Sequence, residues 1–400
     1  MNLTMHPSRI FLYICLCFIA GVFISSAYLV SQIFVWLFFV FSAGIISIFW
    51  RRNKSAVIVG FLFLSFTAGI FRYQMFDAPK DTLDYYKRTN PKEEYAEANF
   101  LENKIGDFKT SLRKSMDSAL SPPESSLFGA IMLGETERLS RDLKEKLNRS
   151  GTRHITAISG MNIIILANML IGLGLMLGMW RHHAFYFAVS FIVLFTIMVG
   201  APPSAVRAGI MGGILLFAQK AGRLSQARRL LVLAAAVMLM SNPLLLKFDV
   251  GFQLSFLATL GISMTSSWFM DNLKFTPQLF GIRNTISMTV PSVLFTAPIL
   301  ISNFGQLSLV SIFTNILIIP MTSLTLGLGF IASIAGILSE TVGRILFWPV
   351  WLFLSYSYKV IDISSDMPFA VWEIEAFPWY LGVLYFVSLW LLVKHFKMER

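Results

Sequence analysis

Charge is scarce in this sequence of 400 residues. Asp, Glu, Lys and Arg make up 14% of it, and hydrophobic residues 56%; soluble domains carry about 25% charged residues. A water-soluble fold could not hide so much apolar surface, whereas a bilayer can. Acidic residues are the scarcer sign, 22 against 33 basic. Cysteine is limited to Cys15 and Cys17, two apart in one apolar run. On a helix they face different ways, which argues against a mutual disulfide and makes them packing residues. The five histidines (His6, His154, His182, His183, His395) form no set with metal-ligand spacing. There is no Gly-rich loop ending in Gly-Lys-Ser/Thr, so no ATP motor, and no Gly-x-Ser-x-Gly nucleophile elbow.

What the chain has is long apolar runs. A membrane helix needs roughly 20 mostly apolar residues. Such spans are expected at 10–30, 33–50 and 56–71, then near 155–179, 184–200, 204–219, 229–246, 250–268, 286–302, 307–338, 344–363 and 378–394. The first resembles a secretory leader in outline, but its run is too long and a second span follows at once. Residues 72–153 hold 15 basic and 14 acidic residues, leaving 18 basic and 8 acidic for the rest. The excess positive charge thus sits in the membrane part and its short loops, the pattern of the positive-inside rule rather than of a nucleic-acid-binding surface. Arg51, Arg52 and Lys54 are expected in the cytoplasm, and both chain ends with them.

The expected fold is all-α: a polytopic helical membrane bundle of about 10–12 spans. Its expected parts are an N-terminal hairpin plus third span (1–71), an extracytoplasmic, partly amphipathic helical segment (72–150) and a membrane core (151–400). In the middle part, residues 77–104 read as polar and frayed. Ser121-Pro122-Pro123-Glu124 reads as a capping box. Ser140 is expected to open a helix with Leu139, Leu143 and Leu147 on one face, ended by Gly151. Both helices suit the membrane interface, although a soluble helical loop would show the same pattern.

Four segments put polar groups where a lipid-facing helix could not hold them. At 151–162, His154, Ser159 and Asn162 mark either a wet, protein-lined surface or an interfacial helix end with Ser and Thr bonded back to the backbone. At 200–209, Pro203 and Ser204 fit a helix start, and Arg207 lies one turn inside, where it either snorkels to the interface or meets polar partners. At 248–259, Asp249 serves as an N-cap or as a partner of Arg207, with Gln253 and Ser255 deeper. Asn315 and Pro320 lie in the run 307–338, too long for one straight helix and read as broken or re-entrant. Lys359 and Asp362 read as a surface ion pair.

These segments carry a resemblance. "GTRHITAISGMNI" at 151–163, "GAPPSAVRAGIM" at 200–211 and "FDVGFQLSFLATLGI" at 248–262, with "TNILIIP" at 314–320 and "LGETERLS" at 133–140, resemble the ComEC-type competence proteins over roughly residues 125–340. That family forms the inner-membrane channel for transforming DNA. Three departures stand out. Asn162 replaces the His of the family's "SGLHI", keeping hydrogen bonding but not titration near neutral pH. The region before the core has too few strand-like runs for the outer oligonucleotide-binding barrel of many members. No His-x-His-x-Asp-His motif of the family's nuclease-like domain is present, so the expectation is the channel module alone, without a nuclease role.

The resemblance implies a channel passing single-stranded DNA into the cytoplasm in the inner membrane of a bacterium. His154, Ser159, Asn162, Ser204, Arg207, Asp249, Gln253 and Ser255 would line the path, with Arg207 on phosphate. Pro203, Asn315 and Pro320 would mark helix breaks. No cofactor, metal or catalytic residue is expected. Partners would be single-stranded DNA, the lipid bilayer, a cytosolic DNA-translocating ATPase and separate DNA-receptor and nuclease components; further copies of the chain stay an open question. Two rivals stand beside this reading. One is a ComEC-like transporter or scaffold that has lost DNA uptake. The other is a membrane-embedded enzyme using His154 and Asp249 as acid and base.

Overall fold

The computed structural model describes residues 7–28, 30–76, 100–156, 160–200, 203–220, 227–273, 282–374 and 377–398. The chain falls into two compact units: residues 1–97 with 217–256, and residues 98–216 with 257–400.

The smaller unit is built on helices α1 (Pro7–Ala27), α2 (Gln32–Phe49) and α3 (Lys54–Met75). To them pack α10 (Ala227–Ser241), the short α11 (Leu245–Phe248) and the first turns of α12 (Val250–Asn272). α1 and α3 run parallel: Ser65 Oγ donates to Ile14 O at 2.8 Å, and a Cβ on Gly69 would overlap the Phe18 carbonyl. Small residues at such a contact let two helix backbones touch, which is how apolar helices gain packing energy in lipid. α10 runs the same way. Arg229 Nη1 donates to Ser8 Oγ at 3.0 Å near one end, and Arg72 Nε and Nη2 donate to Met240 O and Ser241 O at 2.7 and 2.9 Å near the other. At that second end Lys247 Nζ donates to Ser26 O at 2.9 Å. Both cations thereby satisfy the last carbonyls of a helix, where the macrodipole favours positive charge.

The larger unit begins with α4 (Phe100–Ala119), α5 (Glu124–Leu133) and α6 (Arg141–Arg149). It continues through α7 (Gly160–Met176), α8 (Arg181–Met198) and most of α9 (Pro203–Lys220). The rest of α12, then α13 (Ile282–Phe304), α14 (Ser311–Leu338), α15 (Glu340–Asp366) and α16 (Trp379–Met398) complete it. A two-stranded antiparallel ribbon, Gln306–Ser308 with Val371–Glu373, is the one departure from the all-α expectation among the described residues. One apolar core joins α4–α9 to α14 and α15; Phe128 and Phe347 meet edge to face at 5.9 Å within it. Among the described residues six helices, α1, α2, α3, α8, α13 and α14, are long and apolar enough to cross a membrane.

Several expectations are corrected. The segment from 311 to 338 is a single unbroken helix of 28 residues with Pro320 inside it. At about 1.5 Å per residue it spans about 42 Å, so a long run is accommodated by length rather than by a break. Neighbouring helices and back-bonded hydroxyls, such as Thr322 Oγ1 to Ile318 O at 3.0 Å, surround the proline. Ser121 does not cap α5, whose N-terminal flanking residue is Pro123 after a cis Pro122–Pro123 bond. The Glu124 carboxylate accepts from Ser355 Oγ at 2.6 Å instead of closing a capping box. Nor is α5 interfacial, because eight of its ten residues are buried. Asp362 pairs not with Lys359 but with Lys146, 2.8 Å away on α6; the hydrogen bonds that Lys146 donates to Asp362 and then to Asp142 hold that lysine charged well above the ordinary range. Ser140 does cap α6, accepting from Leu143 N at 3.1 Å, and Leu139, Leu143 and Leu147 are all buried.

Candidate functional site

The segment starting at Gly151 is a tightly held corner. Thr152 N returns to Leu147 O at 2.9 Å, which requires the left-handed conformation at Gly151 (φ 72°). The corner is wedged against the start of α14. Ser308 Oγ donates to Arg149 O at 2.8 Å, and a Cβ on Gly151 would overlap that of Ser311. Ser150 and Thr152 share a hydroxyl–hydroxyl hydrogen bond of 2.7 Å in full burial. In the 3₁₀ turn that follows, the Arg153 and His154 side chains are exposed, and Thr156 Oγ1 donates back to Arg153 O at 2.9 Å. Ser159 lies outside the described residues.

Asn162, third residue of α7, is 5% exposed, and its Nδ2 donates to Ile131 O at 3.4 Å. Ile131 belongs to the last turn of the buried helix α5, whose terminal carbonyls lack intrahelical donors. An amide there supplies a donor without a charge.

Arg207 stands on the second turn of α9 and is 6% exposed. Its side chain is enclosed by protein rather than exposed on the outside of the helix. A charge carried into a span costs at least ~2.5–3.5 kcal/mol at the centre when it faces lipid, and such residues are held by partners or water. Beside it Ala205 and Ala208 are buried. Gly209 and Gly212 bring α9 onto α8 and α7: Cβ atoms there would lie 3.3 Å from Thr196 Oγ1 and 3.0 Å from Ile163 Cγ2. Pro203 is the first residue of α9, and Ser204 follows it; their side chains lie outside the description.

The third segment belongs to the smaller unit and builds a helix corner. Asp249 Oδ1 accepts from Phe252 N at 2.8 Å, capping α12. Gln253 Nε2 donates to Leu246 O at 2.9 Å and Lys247 O at 3.1 Å, closing the end of α11. Ser255 is half-buried. These bonds give Asp249 and Gln253 local structural work.

On α14, Ser311, Asn315, Ile318, Thr322 and Thr325 form one buried face at i, i+4, i+7, i+11 and i+14. Asn315 is 3% exposed, and its Oδ1 has no hydrogen-bond partner. Further along this face, Thr322, Thr325 and Ser357 meet Leu127, Ile131 and Leu354 around a cavity of about 10 Å³, room for the centre of about one water molecule.

One constellation was not singled out from the sequence, although its central residue lies in the 133–140 motif. The Glu135 side chain is 8% exposed. Arg113 grips it through Nε at 3.0 Å and through Nη2, with Arg138 Nη1 at 3.5 Å and Lys109 Nζ at 3.9 Å. Arg138 Nη2 also holds both oxygens of Asp117, at 2.8 and 2.9 Å. Burial pulls the Lys109 ammonium below its usual range, against the opposing charge of Glu135. The available signal was the i, i+4 pair Lys109 and Arg113 on an amphipathic helix. Its partner, 22 residues beyond Arg113, is set by tertiary packing and could not be read from spacing.

Spanning-length apolar helices, a buried arginine on one of the packed helices and a polar face within the bundle define a polytopic helical membrane protein. The profile described as "Competence protein" matches residues 131–398, and the chain belongs to that family. It is similar to ComE operon protein 3 of Bacillus subtilis (strain 168), with 29% identity over 262 residues, 64% of this chain and 33% of the relative. It is also similar to the uncharacterized protein YcaI of Escherichia coli (strain K12), with 22% identity over 309 residues, 69% of this chain and 41% of that protein. The chain thus spans well under half the length of these curated relatives. No solved structure matches it.

Proposed function

We propose that this chain acts in DNA uptake, as a membrane module that passes single-stranded DNA inward across the bacterial inner membrane. Family membership supports the DNA-uptake reading, and Arg207 is the observation that carries the mechanism. A guanidinium held at 6% exposure inside a membrane helix has a standing cost, and it suits transient pairing with a phosphate. Asn162 braces the neighbouring α7 through Ile131 O rather than titrating. The cavity beside Thr322, Thr325 and Ser357 holds only about one water molecule, so a strand routed there would need helices to part. The basic residues Arg51, Arg52 and Lys54 support a cytoplasmic α2–α3 turn, and an even number of spans would carry both termini to the same side. A cytosolic DNA-translocating ATPase would supply the force, and separate receptor and nuclease components would supply the single strand. His154, Ser159, Ser204, Asp249, Gln253 and Ser255 remain candidates for contact with the strand. We assign no catalytic role.

The test is uptake of labelled DNA in a strain whose only copy carries Arg207→Ala, with membrane abundance checked by immunoblot. Uptake should fall by roughly tenfold or more, the size of one lost charge-assisted contact, and Arg207→Lys should restore part of it. Normal uptake at normal abundance would sink the assignment. The local structural work of Asp249 and Gln253 also suits a second reading, a transporter or scaffold of the same fold without DNA uptake. A full deletion that leaves uptake intact would favour it.

A further inference from the structure

In the smaller unit, α1, α3 and α10 run parallel, so three helix N-termini share one end. A helix N-terminus carries partial positive charge and normally recruits Asp or Glu into its first turn. None of these three has an acidic residue there. Instead Arg9, Lys54 and Arg229 occupy the first turns, and Arg51 and Arg52 stand in the turn between α2 and α3. Arg9, Arg51, Arg52 and Lys54 are exposed, and none has an ion-pair partner among the described residues. The only described carboxylate of this unit, Asp249, caps α12 near the opposite end. There the cations Arg72 and Lys247 are spent on helix carbonyls. Among the described side chains, one end is therefore saturated and the other holds five cations against three positive dipole ends, a local arrangement that an anionic ligand relieves.

We infer that this basic end is a binding surface for anionic phospholipid headgroups, with Arg9, Arg51, Arg52 and Lys54 taking the phosphates. The position of the charges favours lipid over a nucleic-acid strand. They follow directly on the exposed apolar side chains of α2, and Trp50, 60% exposed, stands between Phe49 and Arg51. An exposed Trp at that step marks the boundary of hydrocarbon and headgroups, the level at which lipid phosphates lie. Near an anionic leaflet each such cation strengthens binding about fivefold.

The experiment uses the full chain purified in mild detergent, offered equimolar dioleoyl-phosphatidylglycerol and dioleoyl-phosphatidylcholine, with retained lipids counted by native mass spectrometry. The wild type should retain the anionic lipid about tenfold over the zwitterionic one. R51Q/R52Q/K54Q should lose that preference, while R51K/R52K and Lys359→Gln, in the larger unit, keep it. Circular dichroism checks that the variants remain helical. Equal retention of the two lipids by the wild type, or an unchanged preference in the triple variant, would overturn the proposal. So would a dT oligonucleotide whose binding depends on these residues while phosphatidylglycerol retention does not, since the surface would then belong to nucleic acid.

Discussion

The two units solve the same problem, hiding apolar helices, in different ways. In the smaller unit, α2 buries only Val35 and Ser42 and leaves Ile33, Phe34, Trp36 and Leu37 exposed, a helix whose solvent is lipid. In the larger unit, α14 buries eleven residues, among them Ser311, Thr314, Asn315, Thr322, Thr325 and Ser333. Lipid-facing helices need only hydrophobicity. A helix enclosed by protein can carry hydroxyls and amides because its neighbours and its own carbonyls satisfy them. Function is therefore sought in the larger unit, and the smaller one is better understood by how it meets the membrane.

The sharpest way to break this comparison is to crowd one helix contact in each unit. A Cβ on Gly343 would sit 2.5 Å from Gly336 Cα, where α15 meets α14 and only backbone could yield. Gly343→Val should cost about 3 kcal/mol by overpacking, read as a large drop in the thermal midpoint by tryptophan fluorescence and in membrane abundance. Nothing lies within 4 Å of a Cβ on Gly44 of α2, so Gly44→Ala should change stability by less than about 0.5 kcal/mol. Equal sensitivity at both sites would remove the distinction between a packed core and a lipid-facing helix.

Next in size is Glu135. Glu135→Ala leaves Arg113, Arg138 and Lys109 facing one another, with Asp117 opposed to Arg138. Removing one partner of a largely buried ion pair costs about 3 kcal/mol when both are buried; Arg113 is 41% exposed, so about 2 kcal/mol is expected. Denaturant unfolding of the purified chain reads it. The same cluster sharpens the comparison, since Arg113 and Lys109 lie on α4, outside the family match, and join it to the family core. If Glu135→Ala and Arg113→Ala prove additive, α4 is not bonded to that core through this carboxylate.

Much of the smaller unit was legible because hydropathy alone determines it. The spans expected at 10–30, 33–50 and 56–71 match α1, α2 and α3 to within a few residues at each end. In the larger unit the positions of the helices were legible but their company was not. Pro320 argued for a break because in water a mid-helix proline loses a hydrogen bond and clashes with the preceding turn. In the bundle the surrounding helices outweigh that local preference. Likewise Ser121-Pro122-Pro123-Glu124 satisfied a cap pattern, but Ser355, 231 residues further on, engages the Glu124 carboxylate. At the site, Asn162 and Arg207 were legible as polar groups out of place, and both are buried. Asp249 was legible as a cap and acts as one. Asn162→Ala should cost about 1 kcal/mol through the carbonyl left unmet at Ile131. That loss should be independent of pH, because no titrating group is removed.

The smallest effect tests whether prolines in this unit create binding points. Pro298 inside α13 cannot donate to the carbonyl four residues back, and Tyr385 Oη on α16 donates to that carbonyl, Leu294 O, at 2.8 Å. The proline thus opens an acceptor that a second helix uses. Interhelical hydrogen bonds in membrane bundles average about 0.6 kcal/mol, and Tyr385→Phe should cost that much in the wild-type background. In a Pro298→Ala background the restored N–H competes for Leu294 O, and the same substitution should cost close to nothing. The two variants then couple by about 0.6 kcal/mol. Strict additivity would mean that α16 docks on α13 through apolar contact alone, as Ile45 and Ile46 of α2 meet Gly60 of α3. The distinction between the units would then narrow to the buried face of α14.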